Sequence, residues 1–154
     1  MAKPQTLDAV IRSIRACFNR LKATGDALHA DVGITSAMRA VMESLAEGGA
    51  QTVPDVAKNK RVSRQHIQTL ADQVAQAGLL TFKKNPSHKR SSLMGLTANG
   101  KRAFAAMKDR EVVALQELAT VVPEKDLVVT LRTLNKLQTA LDERLATEGE
   151  DQDD

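Results

Sequence analysis

The 154-residue chain has no tyrosine and no tryptophan, only three phenylalanines, four prolines and a single cysteine. So few aromatics leave the core to Leu, Val, Ile, Met and Ala, the usual filling of a helical protein. A lone Cys17 excludes an internal disulfide framework and suits a reducing compartment. No apolar run approaches the roughly 20 residues that span a bilayer. Arg12 and Arg15 interrupt the segment where a signal-type apolar run would lie. A cytoplasmic protein with no membrane partner is expected. Catalytic groups are equally scarce. No paired Cys or His stands at zinc-ligand spacing, and no glycine-rich phosphate loop is present. His29, His66 and His88 fall in no nucleophile motif. Neither enzymatic activity nor a metal nor a cofactor is expected.

What is present is a lopsided distribution of charge. Residues 56 to 108 hold Lys58, Lys60, Arg61, Arg64, Lys83, Lys84, Lys89, Arg90, Lys101, Arg102 and Lys108, against Asp72 alone. These are 11 of the 22 Lys and Arg in the chain. The net charge of +3 conceals this, because Glu148, Glu150, Asp151, Asp153 and Asp154 crowd the other end. A folded domain has no internal need for such a field. A polyanion does, since neutralising phosphates releases counterions.

Periodicity predicts a mainly α protein. A first helix is expected from about Thr6, as N-cap, to about Ala23, with Gly25 as stop or kink, and Asp26 to Gly33 is open to a continuation of this helix followed by a turn. A second, capped by Thr35 or Ser36, carries Met38, Val41, Met42 and Leu45 on one stripe. Val53 to Lys58 reads as a brief helix with Pro54 in its first turn. Ser63 caps a helix to about Ala77 that buries Ile67, Leu70, Ala71 and Val74. Leu79 to Lys83 and Ser91 to Leu96 read as two short strands around a basic loop. Thr97 caps a further helix, with Ala103, Phe104, Met107, Leu115, Leu118 and Val122 near one face. Pro123 ends it, and a last helix repeats leucine from Leu127 to Leu145.

Two adjacent helices joined by a short turn, the second with an amide-rich outer face, make a helix-turn-helix. The major groove admits one helix, and Arg and Gln can pair with guanine and adenine there. Ser63, Arg64, Gln65, His66, Gln68 and Thr69 are the candidate base-reading and phosphate-binding residues of that helix. The hairpin that follows is a wing. Its candidate DNA contacts are Lys83, Lys84, Ser87, His88, Lys89 and Arg90, with Arg90 placed to enter the minor groove.

In order and spacing the chain resembles the MarR family of winged-helix regulators. The matching residues are Gly33-Ile34-Thr35, Pro54-Asp55-Val56-Ala57, Val62-Ser63-Arg64-Gln65, Gly78-Leu79-Leu80, Asn85-Pro86, Arg90, Leu93 and Leu96-Thr97-Ala98-Asn99-Gly100. The resemblance covers about Thr6 to Leu145. It implies a homodimer joined by the first and last two helices, bound to double-stranded DNA at a pseudo-palindromic operator. It also implies a repressor relieved by a small effector or by oxidation. The effector is unidentified, and the lack of Tyr and Trp argues against an aromatic acid. One departure stands out: family wings carry an acid two residues before the arginine matching Arg90, and here His88 stands there.

The expected organisation is an N-terminal dimerisation helix over 1–30 and a winged helix-turn-helix lobe with a small antiparallel hairpin over 31–100. Long C-terminal dimerisation helices follow over 101–147, then an acidic disordered tail over 148–154. Two other readings stay open. A winged helix can serve as a protein-interaction module, which would need an apolar outer face on residues 63–77. Cys17 can be a redox sensor, although its place in an apolar stripe favours a buried, inert thiol.

Overall fold

The computed structural model describes residues 2–150, the side chains of 149 and 150 excepted. In chain order the elements are α1 (Lys3–Leu28), a 3-10 turn (Ala30–Val32), α2 (Ser36–Gly48), β1 (Gln51–Thr52), α3 (Val53–Lys60), α4 (Arg64–Gln76), β2 (Leu80–Lys83), β3 (Leu93–Leu96), α5 (Ala98–Ala119) and α6 (Glu124–Glu150). They form two compact units, Met1–Glu111 and Val112–Asp154, and the boundary falls within α5. No described helix is long and apolar enough to cross a membrane.

The first unit is built around α2, α3, α4 and the sheet. Thr35 caps α2 by accepting from Met38 N at 3.2 Å, and Ser63 caps α4 by accepting from His66 N at 3.1 Å. Those caps set the phase of each helix, so the expected stripes are the ones buried. Met42, Val41, Val74, Ala71 and Met94 are fully enclosed, with Ile67 and Val56 beside them. Each of these Val, Ile and Met side chains contributes about 1.5–3 kcal/mol through burial. Thr52 opens α3, its hydroxyl accepting from Asp55 N and donating to the Asp55 carboxylate. Arg61 ends α3 at φ +54, the left-handed bend that turns the chain into α4.

The sheet has the order β1-β3-β2, antiparallel throughout. Leu80 faces Leu96 and Lys83 faces Leu93 across the hairpin, while Gln51 and Thr52 pair with Met94 and Leu93. Gly100 lets α5 start against the chain that leaves α4. A Cβ there would lie 1.9 Å from the Leu79 carbonyl oxygen. Thr97 fastens the same junction, donating from its hydroxyl to Gly78 O at 2.8 Å and from its N–H to Leu79 O at 3.0 Å.

Several expectations need correction. α1 starts before Thr6, whose hydroxyl donates back to Ala2 O inside the helix, so Thr6 is not its cap. α1 also runs through Gly25 to Leu28. There a Cβ would come within 2.4 Å of Ser36 Oγ, so the glycine serves the approach of α2 rather than a stop. Asp26 completes that junction by accepting from Ser36 N at 2.6 Å, and this bond holds its carboxyl below the usual range. β1 was not expected, and Val122 lies beyond the end of α5. The tail expected to be disordered from residue 148 is helical as far as Glu150, with an Arg144–Glu148 pair at 3.0 Å one turn apart. Residues 151–154 lie outside the described residues.

Candidate nucleic-acid interface

α3 and α4, joined by the bend at Arg61, form the helix-turn-helix, and the segment between β2 and β3 projects beside them as the wing. Between α4 and the wing runs an open groove of about 700 Å³. Arg64, Gln65 and Gln68 line it from α4, Arg90, Ser91 and Ser92 from the wing, and Phe82 from β2. Four of the candidate residues, Arg64, Gln65, Gln68 and Arg90, thus face one space although up to 26 positions separate them. Lys83, Lys84, Ser87, His88 and Lys89 are exposed on the wing outside that lining, and Ser63, His66 and Thr69 are exposed on α4.

The electrostatics of this face are one-sided. Among the described residues, none of Arg64, Lys83, Lys84, Lys89 and Arg90 takes part in an ion pair. Unpaired cations on both sides of a groove suit a chain of phosphates. The first turn of α4 adds amide N–H groups and the positive end of the helix dipole. The wing tip is shaped by its own turn: Ser87 N donates to Asn85 Oδ1 at 3.0 Å, and His88 N donates to Asn85 O at 3.3 Å. Among the described residues no acid pairs with Arg90, in keeping with His88 at the position where wings of the resembled family carry an acid.

Three features of this unit escaped the sequence reading. Asp72 lines the groove and accepts from Gln68 Nε2 at 2.9 Å. Phe82 adds an apolar wall. Away from the groove, Glu111 of α5 joins α2 to the end of α1. Arg39 donates to both Glu111 oxygens, Nη2 to Oε2 at 2.6 Å, and the buried His29 ring lies 3.1 Å from Oε1. Burial works against the Glu111 charge, but the hydrogen bonds from Arg39 and His29 outweigh it and hold the carboxyl below its usual range. Arg39 also stacks over Phe104, 5.6 Å from the ring centre. Cys17 differs from expectation outright: it is exposed, because α1 buries no residue within the chain.

These parts define a winged helix-turn-helix protein. No protein-family profile matches the chain. An uncharacterised protein of Mycobacterium tuberculosis is 34% identical over 121 residues, covering 79% of this chain and 84% of that protein. Among solved structures, a MarR family transcription regulator aligns with a TM-score of 0.76 at 24% identity, over 96% of this chain and 95% of its own. The transcriptional repressor CouR, bound to a 23-mer DNA duplex, aligns with a TM-score of 0.78 at 17% identity, over 90% and 98%. The fold is the winged-helix fold seen in MarR family regulators, and the chain belongs to one family with its mycobacterial relative.

Proposed function

We propose that the protein is a sequence-specific, double-stranded-DNA-binding transcriptional regulator. It acts as a homodimer on a pseudo-palindromic operator, as a repressor that a small effector releases. The observation that carries this reading is the convergence of Arg64, Gln65 and Gln68 with Arg90 on one groove, among cations without ion pairs. α4 lies in the major groove, where its amides and Arg64 read base edges, and the wing lysines hold phosphates. The dimer is supported by long helices that leave Val113, Leu115, Leu118 and Leu131 exposed. Twofold symmetry then sets half-sites about 10 bp apart, or a multiple of that.

Gel shifts with genomic fragments at two salt concentrations test the reading, followed by sequencing of the fragments retained. Binding that weakens steeply with salt and converges on one palindrome is the expected result. An affinity indifferent to salt overturns it. The protein-interaction alternative needs an apolar outer face on α4, and that face instead carries exposed Arg64, Gln65, His66 and Thr69. Oxidation at Cys17 is a second mode of release to be tested: the thiol is exposed in the single chain, on the helix that the dimer would use. An operator affinity that falls on treatment with an organic hydroperoxide in the wild type, and not in C17S, is the result this mode requires.

A further inference from the structure

We infer that Asp72 is a specificity-determining residue, which fixes the amide of Gln68 in the orientation that accepts adenine and refuses guanine. The inference rests on the DNA-binding reading above. Asp72 is the only acid between residues 56 and 108, and it lies in the groove rather than away from it. An acid among phosphates weakens binding to every sequence, so its place there calls for a compensating role.

The hydrogen bond supplies one. Gln68 Nε2 donates to Asp72 Oδ1 at 2.9 Å, one helical turn away. A carboxylate only accepts, so it holds the nitrogen end of the Gln68 amide and excludes the flipped orientation. One N–H and the carbonyl oxygen of Gln68 remain for a partner outside the chain. Adenine offers a matching pair in the major groove, an N6 donor and an N7 acceptor. Guanine offers two acceptors, O6 and N7, and would set O6 against the fixed carbonyl oxygen. Gln65 has no such lock. Its Nε2 reaches only the neutral Thr69 hydroxyl, which itself donates to Gln65 O, and the contact is 3.4 Å long, weaker than a bond to a carboxylate.

The test uses the full-length protein and a duplex selected from a randomised pool. Affinities are measured by fluorescence anisotropy for the selected duplex and for A→G exchanges at each adenine of a half-site. The wild type should lose about tenfold at one adenine per half-site. D72A should lose no more than about twofold at that position, and D72N an intermediate amount, because asparagine can present either end of its own amide. In a Q68A background D72A should change the ratio no further. D72A is also expected to tighten binding to all duplexes by removing a negative charge, and the A-to-G ratio cancels that effect. A D72A protein that keeps the tenfold discrimination at that adenine overturns the role of Asp72 while leaving the DNA-binding reading intact. A wild type that selects no duplex overturns that reading first, and this inference with it.

Discussion

The lobe that carries α2, α3 and α4 hides its apolar side chains, whereas the unit from Val112 onward exposes them. Val41 and Met42 are 0% accessible, while Leu115 is 62% and Leu131 61% accessible. Both stretches are helical with apolar residues at three- and four-residue intervals, so the pattern alone does not separate them. What separates them is whether the same unit supplies an opposing surface. α2, α3, α4 and the sheet enclose one core. The described residues of the second unit are the end of α5, the turn at Pro123 and α6, and α6 has no buried residue. The same periodicity therefore marks a finished core in one place and a surface suited to a second copy in the other.

The strongest way to break this contrast is to place charge on the exposed side. Val128 and Leu131 line a shallow groove along α6. If their exposure persists in solution, V128D/L131D costs within about 0.5 kcal/mol, as for other surface changes, and leaves the mass unchanged. The homodimer reading expects a halved mass in sedimentation equilibrium. It also expects operator affinity to fall toward the non-specific level, about a thousandfold. A variant that stays dimeric would show that this face is not the interface. The converse change in the lobe is Met42→Ala. It should cost about 2–5 kcal/mol in urea unfolding, because the enclosing side chains cannot collapse onto the space.

How much of this was legible in the sequence follows the same division. The buried faces of α2 and α4 were readable, because Thr35 and Ser63 are local signals and the stripes keep one phase from cap to end. β1 was not, since two residues carry no alternation and only pairing with β3 makes Gln51 and Thr52 a strand. The grouping of His29, Arg39 and Glu111 was invisible because up to 82 positions separate its members. In the groove, Arg64, Gln65 and Gln68 stood out by helical spacing. Asp72 fits the same spacing but was assigned no role, because its bond to Gln68 depends on side-chain placement that spacing does not show. Cys17 was misplaced by the very ambiguity that the two units illustrate: an apolar stripe on α1 was taken as a buried one.

A smaller effect concerns acid stability at Glu111, the last residue of the first unit. Its folded-state pKa is depressed below the ordinary 4.5, so the charged form favours folding. That contribution is complete above the unfolded-state value and is lost as pH falls through the folded one. Urea midpoints of the wild type should therefore decline below about pH 4.5. E111Q should start lower near neutral pH and decline less over that acid interval. Parallel curves would show that the carboxylate is not what ties α1, α2 and α5 together.

The smallest expected change lies on the wing, where the lobe meets solvent with charge instead of apolar surface. Lys84 and Lys89 are exposed and belong neither to the core nor to the groove lining. Lys84→Ala and Lys89→Ala should leave folding stability unmoved, within about 0.5 kcal/mol. A phosphate contact is sequence-blind. Each substitution should therefore weaken operator and unrelated DNA alike and reduce the slope of log affinity against log salt by about one. Arg64→Ala, in contrast, should cost about 1–3 kcal/mol at a particular base position if it reads guanine. If the lysine variants altered preference among sequences, the division of labour between wing and α4 would be wrong. The groove would then bind DNA in an orientation other than the one its two walls suggest.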